Sequence, residues 1–296
     1  MLNQDKLNKE IEAWWDKNPF AFGVSNTKRD QVGTIGLAQM NLAYFQEIER
    51  KFRKHTRGGA QEDGKSLFSK LIDYRWLKGK KVLDIAVGSG FSMVVFLEGG
   101  AEVTGIDISN FAVNFAKKNL ECRNLSGEVL KMDAQNMQFP DESFDFVNAW
   151  GCLMHMPDTE KAIREMYRVL KPGGRAFAYM YNKNSWPYWF NAIFLRGIFF
   201  GQLLRYRFNT VKLTSRYSDG YSVGGNALAK FYVPDKVRQM FREAGFKNVE
   251  CFPFELPDEP NQWPARRFPI FKYLPARIKS YMAKRWGYGL IVRAEK

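Results

Sequence analysis

Two hydrophobic periods alternate along the middle of this chain. Short apolar runs at 81–86, 102–107, 127–132, 144–150 and 175–181 have the length and the β-branched and aromatic content of buried strands. Between them, 91–98, 110–119 and 159–170 repeat their apolar residues every three or four positions, as helices do. Ser109 or Asn110 supplies a cap for the second of these helices, and Gly173-Gly174 is expected to stop the third. Strands and helices alternating at this spacing mean crossover units and a parallel sheet. Farther on, 234–244 reads as a helix with Pro234 in its first turn and Gly245 behind it. Segments 248–254 and 287–294 read as strands, which makes seven. Ahead of the sheet, helices are expected at 3–17 (apolar Leu7, Ile11, Trp14 and Trp15), at 37–54 and at 65–76. The expected organisation is a helical cap at 1–77, a ligand-binding core at 78–182 and an inserted lid at 183–232. The rest of the core is expected at 233–296, carrying a second insertion at 255–286.

Composition changes this picture in one respect. With 296 residues, 45% of them apolar, the chain fits one large α/β domain with additions. Its three cysteines, Cys122, Cys152 and Cys251, have no metal-ligand spacing, and an odd number argues against a disulfide framework. A reducing, cytoplasmic setting is the simplest reading. The first ten residues are too polar for a signal peptide. The most apolar stretch, 186–204, is interrupted by Pro187, Asn191, Arg196, Gly197 and Gly201, which makes a poor membrane span. The net charge of +14 is localised. Residues 183–232 hold seven Lys/Arg and one acid, Asp219, and residues 261–294 hold eight Lys/Arg and no acid. These two segments account for the whole excess, and the other 212 residues sum to zero.

Candidate chemistry begins at the first strand–helix junction, Gly88-Ser89-Gly90. Glycines there let the backbone approach a ligand, and the helix behind offers free N–H groups. Asp107, at the end of the second strand and 19 residues after Gly88, is placed to accept both hydroxyls of a ribose. Asp133, at the end of the third, is placed to accept from an adenine amino group. A dinucleotide is the rival ligand, but its loop calls for G-x-G-x-x-G, and this chain has Ala86 and Phe91 around the glycines.

Four ordered motifs carry a resemblance. They are Val82-Leu83-Asp84-Ile85-Ala86-Val87-Gly88-Ser89-Gly90; Asp107; Asp133-Ala134 followed by Phe139-Pro140-Asp141-Glu142-Ser143-Phe144-Asp145; and Arg168-Val169-Leu170-Lys171-Pro172-Gly173-Gly174-Arg175. Together they resemble the class I S-adenosylmethionine-dependent methyltransferases, in the bacterial small-molecule group related to ubiquinone biosynthesis, strongly over 78–182. The resemblance implies an α/β fold: a doubly wound, Rossmann-like, seven-stranded sheet whose last strand is antiparallel. It implies S-adenosyl-L-methionine as cofactor, with Asp84, Ala86, Gly88 and Gly90 near the methionine part. Asp107 would hold the ribose, Ile108 would pack on the adenine, and Asp133 and Ala134 would flank its amino group. The backbone around Ala149 and Trp150 would meet the methionine amino group. The family usually has glycine where this chain has Ala86, so the loop should be tighter.

For the acceptor, His155 follows the fourth strand, where family members often carry two adjacent histidines; here Met154 replaces the first. An imidazole suits a general base near neutral pH; shaping the loop is the alternative. Tyr181, Tyr217, Asp219 and Tyr221 are further candidates for moving a proton or orienting the acceptor, with a turn the better role for Asp219-Gly220. His55 reads as a helix-end residue. Trp14, Trp15, Phe20 and Phe22 either close the pocket or anchor the first helix. Helical spacing puts Phe190, Phe194 and Ile198 on one face of the lid, with packing onto the core the competing role. The basic segments admit three partners: an anionic small or lipid-like acceptor, an acidic membrane contacted peripherally, or nucleic acid. Nucleic acid ranks last, because the basic residues sit among large apolar ones. The expected function is methyl transfer to a small or lipid-like, anionic acceptor. A membrane-associated or nucleic-acid-modifying methyltransferase and a nicotinamide-dependent oxidoreductase are the alternatives.

Overall fold

The computed structural model describes residues 2–19, 36–55, 68–218, 224–254 and 273–296. Phe20, Phe22, Asp219, Tyr221 and insertion residues 255–272, with Arg266 and Arg267, lie outside the described residues, as does the side chain of His55.

Within the described residues the core is a seven-stranded sheet: β1 (Lys81–Ile85), β2 (Glu102–Asp107), β3 (Glu128–Lys131), β4 (Phe144–Trp150), β5 (Leu170–Tyr181), β6 (Lys247–Phe254) and β7 (Gly289–Glu295). The strand order is β3-β2-β1-β4-β5-β7-β6. The first five strands are parallel, and β7 runs antiparallel to both β5 and β6. Chain direction across the sheet reverses between β1 and β4, where doubly wound sheets open a crevice at their carboxyl ends. The fold class expected from the sequence is therefore the one observed.

Helices cover both faces. On one, α2 (Leu42–His55), α4 (Phe91–Glu98) and α5 (Asn110–Cys122) pack with Val82, Phe146 and Phe177. On the other, α6 (Thr159–Val169) and α9 (Pro234–Glu243) cover Leu83, Val147, Ala178 and Val292. Each strand feeds alternate side chains to the two cores, so parallel strands buried on both sides read as continuous apolar runs. Capping follows the sequence: the Ser109 hydroxyl accepts from the Ala112 amide at 3.1 Å, and Asp158 caps α6 through the Lys161 amide at 2.8 Å.

Two local expectations are corrected, and one open alternative is decided. The helix expected over 65–76 is, in its described part, a turn at 68–71 followed by the short α3 (Tyr74–Leu77). Phe68 has φ +62° and a fully buried ring 4.5 Å from that of Trp150; a left-handed residue cannot sit inside a helix. Gly173-Gly174 does not stop α6. That helix ends at Val169, and β5 begins at Leu170, paired with Phe144, with the Lys-Pro-Gly-Gly run forming an irregularity before Arg175 pairs with Phe146. Of the two roles left open for the aromatic face of residues 190–198, packing onto the core is not the one observed for Phe194 and Ile198, which are exposed.

Part of the motif set is scaffold. Arg168 donates to Asp141 and to the carbonyls of Phe139 and Met137, all within 2.9 Å, and so ties the chain before β4 to α6.

Candidate active site

The loop leaving β1 is built from left-handed backbone. Ala86, Gly88 and Gly90 have φ of +58°, +53° and +73°. Ala86 and Val87 donate to the Ile106 carbonyl at 2.7 and 3.2 Å, which holds the loop against β2. The two glycines serve different needs. A Cβ at Gly88 would meet nothing within 4 Å, so its backbone faces open space. A Cβ at Gly90 would lie 3.0 Å from the Ala116 Cβ and 3.1 Å from its Cα, so glycine there lets α5 pack against the loop. Asn119, buried on α5, donates to the Ser89 carbonyl at 2.8 Å. Ala86 carries the strain that glycine would avoid. Ala86→Gly is expected to raise stability by about 0.5–1 kcal/mol, the left-handed penalty less the added freedom of the unfolded chain; a lowered denaturation midpoint would contradict that balance.

Asp107 sits behind this loop, 8% exposed. Its Oδ2 accepts from the Gly88 amide at 3.1 Å and its Oδ1 from the Ser109 amide at 2.9 Å. Asp84, on β1, is buried, with Oδ2 accepting from Ser92 Oγ and Oδ1 from Asn148 Nδ2, both at 2.6 Å. Burial pushes each carboxyl up to about 6, and each is opposed by the hydrogen bonds it accepts. Ile108 is half-exposed beside Asp107, while Ala134 is buried and offers only its backbone. The Trp150 ring stacks on Tyr179 at 4.6 Å and on Phe177 at 5.9 Å, so at that position too the crevice is reached by backbone.

The loop after β4 carries His155, 5% exposed. Its Nδ1 lies 2.6 Å from the Leu228 carbonyl. A carbonyl only accepts, so Nδ1 carries a hydrogen, and in the neutral tautomer this selects, the lone pair is on Nε2. Trp15 and Tyr181 approach the imidazole edge-on at 5.6 and 5.5 Å, and Phe231 and Tyr288 each lie 4.9 Å from the Tyr181 ring. Tyr181 itself is buried. Tyr217 is placed elsewhere, under the guanidiniums of Arg196 and Arg216 on the lid. Lys230 ties the returning chain to this loop: its Nζ donates to the Pro157 carbonyl and to Thr159 Oγ1, and burial lowers the amine to about 8.

Sequence reasoning missed three parts of this site. Helix α1 (Leu2–Lys17) lies across the carboxyl ends of three strands. Its Asn8 contacts Asp133 and Gln135, its Asp16 accepts from Ser109 Oγ at 2.7 Å and from the Phe111 amide at 3.1 Å, and its Trp15 meets His155. Trp15 was one of the residues expected either to close the pocket or to anchor the helix, but nothing local in the sequence signals the partners of Asn8 and Asp16. Ser92 was also missed. Asn148 left a readable signal: a polar residue in the middle of an apolar strand needs a buried partner.

Comparison with known proteins agrees with this geometry. A family profile described as "Methyltransferase domain" matches residues 83–178. A demethylmenaquinone methyltransferase of Geobacillus sp. (strain WCH70) is 31% identical over 182 residues, covering 58% of this chain and 73% of that protein. One from Listeria welshimeri is 32% identical over 180 residues, covering 58% and 72%. Among solved structures, a SAM-dependent methyltransferase of Methanosarcina mazei superposes with a TM-score of 0.51 at 20% identity, over 74% of this chain and 93% of that one, a likeness of fold. Sheet order, loop, carboxylates and relatives agree: the chain belongs to the class I S-adenosylmethionine-dependent methyltransferases and is an enzyme that uses that cofactor.

Proposed function

We propose that the enzyme methylates a lipid-like, ring-bearing acceptor of the quinone class, beside the aromatic cluster that holds His155. The observation that carries this reading is an aromatic cluster: Trp15 and Tyr181 meet the imidazole edge-on, Phe231 and Tyr288 back Tyr181, and a flat apolar ring is what such faces suit. The demethylmenaquinone methyltransferases among its relatives support the same acceptor class. The expectation of an anionic acceptor shifts with it. Lys230 is committed to the Pro157 carbonyl and to Thr159, and the exposed basic residues Arg205, Arg207 and Lys212 stand on the outside of the lid. Positive charge therefore favours acidic surroundings for a lipid acceptor over a charge on its reacting ring.

Mechanism follows from the residues. When bound, the cofactor supplies an electrophilic methyl group on a sulfonium. Open space at Gly88 and the carboxylates of Asp84 and Asp107 fit that molecule. Asp107 would accept from the ribose hydroxyls, Ile108 would lie against the adenine, and Asp133 with the Ala134 backbone would take its amino group. The long Asn8–Asp133 contact, 3.4 Å, is the one that group would replace. Asp84 and the Ala86–Gly90 backbone would hold the methionine end, with the backbone at Trp150 beside its amino group. Helix α1 covers the ends of β2, β3 and β4 through Asp16, Asn8 and Trp15, and orienting the acceptor contributes the most to rate. His155, its tautomer held by Leu228, receives the acceptor's proton at Nε2, with Tyr181 fixing the plane of the ring.

Transfer of labelled methyl from S-adenosylmethionine to a detergent-dispersed demethylated quinone tests the acceptor class; no transfer, with cofactor bound, would refute it. His155→Ala is expected to lower kcat roughly 100-fold with cofactor affinity unchanged; an unaltered kcat would remove the base role.

Acidity separates the carboxylates' two effects. Ligands that donate hydrogen bonds need Asp84 and Asp107 ionised, so affinity for S-adenosylhomocysteine is expected to be flat above neutrality and to fall as pH drops through about 6. The ligand-free chain behaves oppositely. Both folded-state values are raised, so these groups contribute stability that is fully present below the ordinary aspartate range and is lost as pH rises through about 6. Affinity that is constant from pH 7 to 5 would contradict this assignment.

A further inference from the structure

We propose that residues 186–212 form a surface that docks the enzyme on an anionic lipid bilayer. The proposal rests on the lipid-acceptor reading for its purpose and on separate observations for its geometry.

This segment is built as a unit. A wide π-type helix (Pro187–Phe199) is followed by α7 (Gln202–Arg205) and α8 (Thr210–Tyr217). Its inner side is anchored: Tyr188 and Leu213 are buried, Thr214 Oγ1 donates to the Ala229 carbonyl at 2.8 Å, and the Ala229 amide donates to Ser215 Oγ at 2.8 Å. Gly197 packs so tightly on Leu203 that a Cβ there would sit 2.8 Å from it. Among the described residues, the outer side has no such cover. Phe199, Leu204 and Phe208 are 71, 70 and 68% exposed, and Ile198, Trp189 and Phe194 are exposed beside them. An apolar patch of this density on a protein of ordinary composition marks a surface meant to be covered.

The tip is held in a costly conformation. Arg207 and Phe208 have successive φ of +51° and +59°, with their amides bonded back to the Leu204 and Leu203 carbonyls. Neither residue prefers that region, and the result is an exposed phenyl ring beside an exposed guanidinium.

Charge identifies the occupant. From residue 183 to residue 218 the chain has six Lys/Arg and no acid, and Arg205, Arg207 and Lys212 are exposed among the apolar side chains. Basic residues ringing aromatic and aliphatic ones fit acidic headgroups over an acyl boundary. A nucleic acid would use the aromatics by stacking but has nothing to receive Ile198 and Leu204. Among the described residues no helix is long and apolar enough to cross a membrane, so contact would be peripheral. The second basic segment leaves the same end of the sheet. Helix α10 (Ala276–Trp286), with Tyr281, Lys284, Arg285 and Trp286 exposed, leads into β7 at Gly289, opposite Tyr181.

The surface is continuous with the chemistry. Trp189 meets Tyr188 at 5.4 Å, Tyr188 meets Phe231 at 5.2 Å, Phe231 meets Tyr181 at 4.9 Å, and Tyr181 meets His155 at 5.5 Å. A docked enzyme therefore has an unbroken aromatic path from the lipid face to the imidazole.

The test is flotation of the full chain with phosphatidylcholine vesicles, pure or containing roughly 30% phosphatidylglycerol. Binding to the acidic vesicles at least about tenfold stronger, and weakened by salt, is expected. A Phe199→Ser, Leu204→Ser, Phe208→Ser variant should lose that binding while keeping parental S-adenosylhomocysteine affinity and thermal midpoint. An Arg205→Glu, Arg207→Glu variant should lose the preference for acidic lipid. Equal binding to both vesicles, parental binding by the serine variant, or tighter binding to duplex RNA than to acidic vesicles would overturn the proposal. Methyl transfer to detergent-dispersed quinone reports on the acceptor reading separately: its failure beside intact flotation sinks that reading and leaves the docking surface standing.

Discussion

Replacing Asp107 with alanine is expected to weaken S-adenosylhomocysteine binding roughly 30- to 150-fold, about 2–3 kcal/mol. Asp107 ends β2 next to the switch point, and its two oxygens already accept from Gly88 and Ser109. It thus fixes the loop and presents its remaining lone pairs to the crevice. Alanine removes both functions and leaves two backbone donors without their acceptor. Because burial has raised this carboxyl to about 6, removing it also relieves a buried charge, and the ligand-free chain should not lose stability in proportion. Affinity is therefore the sensitive readout, measured by calorimetry beside a thermal melt. Asp107→Asn keeps one acceptor per side chain and should fall between parent and alanine; it should also flatten the affinity profile near pH 6. Parental affinity in Asp107→Ala would mean that the ribose lies elsewhere.

The second large effect is on stability. Gly90→Ala is expected to cost about 2–5 kcal/mol. Two causes add. The residue has φ +73°, where a Cβ costs about 1–2 kcal/mol. The new methyl would also press on Ala116, including its backbone Cα at 3.1 Å, and overpacking of that kind costs about 1–3 kcal/mol. Since α5 cannot retreat without loosening Asn119 from the Ser89 carbonyl, cofactor affinity should fall with stability. Gly88→Ala is the contrast: it meets open space, so its stability cost is the backbone term alone. Equal denaturation midpoints for Gly90→Ala and parent would show that α5 does not press on the loop.

Much of this architecture was legible because its physics is local. Strands β1 to β5 are buried on both faces, so they appear as apolar runs, and their boundaries match the expected ones to within a few residues except at the start of β5. There, Leu170 continues from helix to strand because it pairs with Phe144, a partner far away in sequence. The turn at Phe68 was unreadable for a similar reason: its conformation is set by a ring buried against Trp150 and Phe177, and nothing within 65–76 announces it. In the site, glycines and acids at strand ends were readable as types and spacings. Helix α1 was readable as a helix, but its place over the crevice depends on Asn8, Trp15 and Asp16 meeting residues about a hundred positions or more away. The lid's aromatic face was visible as a pattern, while its direction, outward, depends on Tyr188 and Leu213 taking the inner places.

The most direct test of the account is a pair of calorimetric titrations of the purified chain at neutral pH, one with S-adenosylhomocysteine and one with NAD. Saturable one-to-one binding of S-adenosylhomocysteine, lost with Asp107→Ala, and no binding of NAD is the predicted result. Binding of NAD with none of S-adenosylhomocysteine would contradict it.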